Sequence, residues 1–132
     1  MTERRCIEEP DKLDAIAEEL DGTWLDMQGV EFNSEAHTLR IPFRPGTERQ
    51  LARYLYQDRG PRDGPKFLLT IGLVKNYIIQ DTERVRYYDF DCLRYDPATR
   101  CLEVCTGIPL VLRATVTGFS VCIEETGQSS GA

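Results

Sequence analysis

Several signatures of chemistry are scarce or missing in this chain. Histidine occurs once, at His37, and tryptophan once, at Trp24. No Cys-x-x-Cys pair is present, so the usual spacing of a zinc site is absent. A zinc ion would need Cys92 and Cys105 with ligands from elsewhere, such as Cys122 or His37. A Cys–His hydrolase would depend on His37 beside an activated thiolate, and no cysteine lies at a helix start that would lower its pKa. Gly-rich phosphate loops, dinucleotide fingerprints and nucleophile elbows are also lacking. We therefore expect no metal and no cofactor.

Long apolar runs are missing too. No segment approaches the ~20 apolar residues of a membrane span, and the N-terminus, Met-Thr-Glu-Arg-Arg-Cys-Ile-Glu-Glu-Pro, has no apolar stretch of signal-peptide length. These features predict a soluble, cytoplasmic protein with no membrane partner. An excess of positive charge is likewise lacking. The net charge is −6, whereas phosphate binding needs clustered Lys and Arg, so nucleic acid is not an expected partner.

What is present fits one ordinary domain. The 132 residues are 41% hydrophobic and 29% charged, enough to build a core without disulfide support. The single domain is expected to span 1–132, with 1–9 and 126–132 as flexible tails. Five cysteines, Cys6, Cys92, Cys101, Cys105 and Cys122, are an odd number for a disulfide framework. In strands they would act as small apolar residues, so all are expected reduced.

Pro10 to Gly22 has the pattern of an amphipathic helix. Asp11 is placed to cap it, Leu13, Ile16, Ala17 and Leu20 form an apolar stripe, and Gly22 supplies the stop. Thr23 to Phe32 suits a strand with a bulge at Gly29. Leu39, Ile41 and Phe43 alternate with polar residues. Pro42, lacking an N–H, assigns that strand to an edge or faces away from its neighbour. Thr47-Glu-Arg-Gln50 fits a capping box and predicts a second short helix over 48–57, with a strand as the alternative. The two Gly-Pro pairs in 58–65 require a loop.

From Phe67 onward strands follow closely. The first begins with Phe67, Leu69 and Ile71 and bends at Gly72, and Tyr77 to Gln80 continues or follows it. Val85 to Tyr95, Arg100 to Thr106, Leu110 to Thr117 and Phe119 to Glu125 complete the series. Short connections predict antiparallel pairing of sequential strands. The expected fold is α+β and mainly β: an N-terminal helix on a six- or seven-stranded antiparallel meander, curled as a barrel-like sheet or a two-layer sandwich.

The hairpin from Cys92 to Cys105 carries the most specific expectation. Its Tyr-Asp-Pro-Ala-Thr-Arg turn resembles, in loop geometry, the second hairpin of the immunoglobulin-binding domain of protein G. A four-residue loop Pro97–Arg100 then sets Asp96 opposite Cys101. In that register Tyr95 faces Leu102 and Leu93 faces Val104 on an apolar face. Arg94 faces Glu103, and Cys92 faces Cys105, on the other.

Two functional readings follow. Residues 1–37 carry eleven acids and three bases, and residues 38–66 carry seven bases and three acids. Arg44, Arg49, Arg53, Arg59 and Arg62, with Tyr54 and Tyr56 between them, form a basic segment 44–66 of the composition found at binding hot spots. The first reading is a non-catalytic binding or interaction domain that uses this segment or a sheet edge. Its partner would be a protein, a homodimer through an edge strand included. In type it resembles small acidic single-domain proteins such as toxin-neutralising immunity proteins. The alternative is a small-molecule binder or hydrolase with a pocket in the curled sheet. There Asp89 and Asp91, two residues apart, would share one face of an unbroken strand and divide acid and base roles. Asp26, Glu31 and Glu35 have weaker claims.

Overall fold

The computed structural model describes residues 4–45 and 67–125. Ten strands occur among them: β1 (Arg4–Ile7), β2 (Thr23–Asp26), β3 (Glu31–Asn33), β4 (Thr38–Pro45), β5 (Phe67–Ile71), β6 (Val74–Gln80), β7 (Tyr87–Asp96), β8 (Cys101–Thr106), β9 (Val111–Val116) and β10 (Val121–Glu125), with one α-helix, α1 (Leu13–Leu20). The predominance of antiparallel strands over one short helix agrees with the sequence reading. The strand count exceeds the expected six or seven, because a 3-10 turn at Met27–Gly29 divides the segment expected as one strand. A further strand also forms at the N-terminus. Residues 4–7, expected within a frayed tail, pair with β10 in the register Arg4 to Glu124 and Ile7 to Val121. The region anticipated as a second helix, 48–57, and the tail 126–132 lie outside the described residues.

The helix begins later than its apolar pattern suggests. Pro10–Lys12 form a 3-10 turn, and Asp11 lies within it rather than capping it. Leu13, Ile16 and Leu20 are buried on one side of α1, which lies against β7. Gly22 follows with φ +83°, a left-handed conformation that a side chain would resist.

The pairing order is β1-β10-β5-β4-β2-β7-β8-β9-β6, with β3 beside β4. The expected pairing of sequential strands holds in β3-β4-β5 and in β7-β8-β9, but the two runs are not joined as one meander. Two corners explain the difference. Gly72-Leu73 and the stretch from Thr117 to Ser120 bend the chain without folding it back. As a result β5–β6 and β9–β10 run side by side as two long bent ribbons. Hydrogen bonds cross both corners, from Gly72 N to Ser120 O (2.8 Å) and from Thr117 N to Leu73 O (2.9 Å). The sheet curls, since β5 and β6 are joined by a corner, but its ladder is not closed: β1 and β6 are its two ends.

Pro42 sits in a central strand rather than an edge, and it is the other expected placement, with the position turned away from a neighbouring ladder, that the pairing fits. Pairing of β4 with β3 stops at Arg40 and pairing with β2 starts at Phe43. Pro42 falls in that gap beside Gly29, where a missing N–H costs neither ladder a bond. The inner face is a continuous core that includes Leu25, Leu39, Ile41, Phe43, Leu69, Ile71, Tyr88, Leu102, Val104 and Leu112, with Phe43 and Phe90 meeting edge to face at 5.6 Å.

The expectation of five reduced cysteines is corrected at one pair. Cys6 on β1 and Cys122 on β10 are directly opposite, with Cα atoms 4.0 Å apart, and are joined by a disulfide. Directly opposed strand positions bring two Cβ atoms within bonding reach, and that placement follows from a strand the sequence did not reveal. Cys92, Cys101 and Cys105 are free thiols.

Candidate functional site

The β7–β8 hairpin has the register read from its turn. Asp96 faces Cys101, Tyr95 faces Leu102, Arg94 faces Glu103, Leu93 faces Val104 and Cys92 faces Cys105. Leu93, Leu102 and Val104 are buried, whereas Arg94 is exposed. Burial, reinforced by the neighbouring Cys92 thiol, pushes the Cys105 thiol up to about 12. A thiol held neutral in this way is a packing group rather than a nucleophile. Among the described residues no three His, Cys, Asp or Glu side chains gather in a metal-binding arrangement.

Asp89 and Asp91 do not form the shared carboxylate face. The register shifts between Phe90 and Cys92, so Asp91 is the extra residue of a β-bulge and the alternation changes phase there. Asp91 is exposed. Asp89 is committed to the turn after β8, where its Oδ1 accepts from the backbone N–H of Ile108 at 2.7 Å. Its own carbonyl accepts from the N–H of Gly107 at 3.1 Å. A concavity of about 610 Å³ lies beside the Pro97–Arg100 turn, lined by Arg94, Asp96, Cys101, Glu103 and Arg113. Neither Asp89 nor Asp91 belongs to it.

Of the basic segment, Arg49, Arg53, Tyr54, Tyr56, Arg59 and Arg62 lie outside the described residues. Arg44 is described, and it is held in the fold. Its Nε donates to Asp26 Oδ2 at 3.1 Å. Asp26, only 3% exposed, also accepts two bonds from Arg86. Burial disfavours the Arg86 charge, but the Asp26 carboxylate more than offsets this and holds the guanidinium pKa above its ordinary value. Arg86 also lies 5.0 Å from the centre of the Tyr87 ring. Asp26, given only a weak claim from sequence, thus anchors a buried ion cluster. Its signal was the single acid among Trp24, Leu25 and Met27, a position that burial requires to be paired.

The outward-facing feature of the sheet is its β6 end. Among the described residues the exposed large hydrophobics are Leu73 (48%), Tyr77 (41%) and Ile78 (50%). All three lie on β6 or the corner just before it. Leu73 has φ +56°, a conformation that a bulky side chain resists. Its flanking backbone is fixed on both sides: its carbonyl accepts from Thr117 N, and Val74 N donates to His37 O at 2.8 Å. His37 is exposed and shares the left-handed backbone, with φ 56°. The Phe32 ring packs 4.7 Å from that of Tyr77. On one side β6 pairs with β9, and no strand among the described residues pairs with its other side. The sequence marked an edge as a candidate surface but not which strand would form it, because that depends on the two corners. No helix among the described residues is long and apolar enough to cross a membrane. Comparison with protein-family models, curated proteins and solved structures finds no match to this chain.

Proposed function

We propose that the protein is a non-catalytic interaction domain that binds a protein partner in extended conformation along the open edge of β6. The observation that carries this reading is the coincidence of Leu73, Tyr77 and Ile78, all exposed, with an edge that no strand among the described residues pairs with. An open edge supplies main-chain donors and acceptors, and alternating apolar side chains supply specificity. Strain at Leu73 supports the same surface, since a left-handed leucine persists only where its surroundings hold it in place. The remainder of the Tyr/Arg segment, with Arg49, Arg53, Tyr54, Tyr56, Arg59 and Arg62, is the second element of the proposal, suited by its guanidinium and phenol groups to an acidic protein surface.

A photoreactive amino acid placed at position 78 in cells producing the protein tests the proposal, with exposed Asp14 on α1 as the control position. The expected result is a covalent adduct from position 78 and none from position 14. The captured chain, once purified, should then slow amide exchange over Asn76–Gln80. No adduct above the control, or a captured chain that leaves those amides unprotected, would overturn it.

A further inference from the structure

We infer that the partner along the β6 edge is a second copy of this chain, paired antiparallel about a two-fold axis through Ile78; this rests on the interaction reading above. Two identical antiparallel strands related by a two-fold axis must place one residue opposite itself. The alternative, with the axis between two residues, would make one pair both hydrogen-bonded and non-hydrogen-bonded. The axis must therefore pass through a single residue of the exposed edge.

Centred on Ile78, the sequence Lys75-Asn-Tyr-Ile-Ile-Gln-Asp81 becomes self-complementary at every position. Ile78 meets Ile78, Tyr77 meets Ile79, Asn76 meets Gln80 and Lys75 meets Asp81. The apolar residues thus occupy the centre, two amides flank them and an opposite-charge pair closes each end. Such pairs are the stabilising unit of a strand–strand contact. Ile78, half exposed, gains cover from its own copy.

The ends of the edge fit this pairing. Val74 N–H is already taken by His37 O, so the open length starts after it. Lys75 is the extra residue where the β6–β9 register shifts, and it makes no ion pair among the described residues. Its flexible stem allows the ammonium to reach across. Asp81 uses Oδ1 for the Tyr88 hydroxyl and for Arg84 N, which leaves Oδ2 for the Lys75 of the second copy. Apart from Lys75, residues 74–80 carry no charge, so self-pairing brings no like charges together.

Sedimentation equilibrium on the full chain tests the inference. Wild type should be a concentration-dependent dimer, and Ile78→Lys, which sets two ammonium groups against each other on the axis, should be monomeric. Lys75→Asp and Asp81→Lys should each weaken the dimer by about tenfold or more, since each turns both end pairs repulsive. An equimolar mixture of the two should dimerise again, because each copy then offers the charge the other lacks. That rescue cannot come from a variant that has failed to fold. The inference is overturned if wild type stays monomeric up to about 1 mM, if Ile78→Lys dimerises like wild type, or if the charge variants do not complement each other. A monomeric wild type whose position 78 still captures a different chain would remove the second copy and leave the interaction reading standing. A monomer that captures nothing would remove both.

Discussion

Arg86 grips Asp26 with a two-bond fork, Nε to Oδ1 at 3.1 Å and Nη2 to Oδ2 at 3.2 Å, across 60 residues of sequence. This geometry matches the planar guanidinium to both carboxylate oxygens, while Arg44 approaches the same carboxylate from β4. The cluster ties β2 to β4 and to the start of β7. Removing the carboxylate leaves two cations in a site with little water. Asp26→Ala should therefore cost about 3–5 kcal/mol in urea unfolding. Arg44→Ala, which leaves the fork intact and removes the more exposed partner, should cost less. Equal losses for the two variants would argue against this ranking.

Tyr87 tests the polar side of the same region. Its side chain is fully buried beside Trp24, and among the described residues no group lies within full hydrogen-bonding geometry of its hydroxyl, the Arg86 guanidinium sitting over the ring instead. An unpaired buried hydroxyl pays for desolvation without return, so Tyr87→Phe should stabilise the protein by about 1 kcal/mol. Burial first, and the Asp26 carboxylate second, push the phenol pKa above its ordinary value of 10.0. The folded state then retains its proton where the unfolded chain has lost it. This contribution is present below pH 10.0 and is lost as the pH rises through the folded value. Thermal melts should show a shallower alkaline decline in Tyr87→Phe than in wild type.

Cys105 gives a second alkaline signature. Its thiol is raised from 9.0 to about 12, with burial as the first cause and Cys92 as the second. Its contribution to stability is complete below pH 9.0 and falls away as the pH climbs toward 12. At neutral pH, alkylation followed by peptide mapping should modify Cys105 far more slowly in the native state than in urea. Comparable rates in both states would show that the thiol is not protected.

Local signals in the sequence were reliable where neighbours in sequence are also neighbours in space. The turn chemistry of Asp96 to Arg100 specified five residue pairs because a hairpin register depends only on its own loop. The stripe of Leu13, Ile16 and Leu20 likewise marked the buried side of α1. What failed depended on distant partners. Cys6 looked like part of a frayed tail because β1 gains its ladder from β10, more than a hundred residues away. Gly72 was legible as a bend, but not that the chain would continue past Ser120 into a second ladder. Asp91 seemed aligned with Asp89 because a bulge leaves no mark in an alternating sequence. The open edge shares this history. Tyr77 and Ile78 read as ordinary strand residues, and only the corner at Leu73 sends them to the end of the sheet.

The turn after β8 depends on how closely Gly107 approaches Asp89. A Cβ at position 107 would collide with the Asp89 carboxylate, which holds Ile108 N at 2.7 Å. The neighbour in the way is a hydrogen-bonded side chain, so it cannot move aside without losing that bond. Gly107→Ala should destabilise the protein by about 1–3 kcal/mol. Asp89→Ala should also destabilise it, by leaving the Ile108 N–H without its acceptor. The double variant should cost clearly less than the sum of the two, because each change removes the same contact. Additive losses in chemical denaturation would place the cost of Gly107→Ala elsewhere in the turn.

The Cys6–Cys122 bridge should matter to stability out of proportion to the four-residue strand it secures. Among the described residues β1 has one pairing partner, β10, and an Arg5–Glu19 ion pair to α1. The bridge closes a loop with a sequence separation of 116, and long loops restrict the unfolded chain most. Reduction by a dithiol should lower stability by about 2–4 kcal/mol. Beyond that loss, it should release β1 specifically. Amide exchange over Arg4–Ile7 should rise in the reduced protein, and the outer side of β10 should lose protection with it. β5 lies on the other side of β10 and pairs with it from Val121 to Glu125, so its amides should stay protected. Cys6→Ser should reproduce both effects without reductant, because Cys6 is exposed and the change removes the bridge with little loss of packing. Uniform loss of protection across β1, β10 and β5 would instead mean that the bridge supports the whole sheet rather than its first strand.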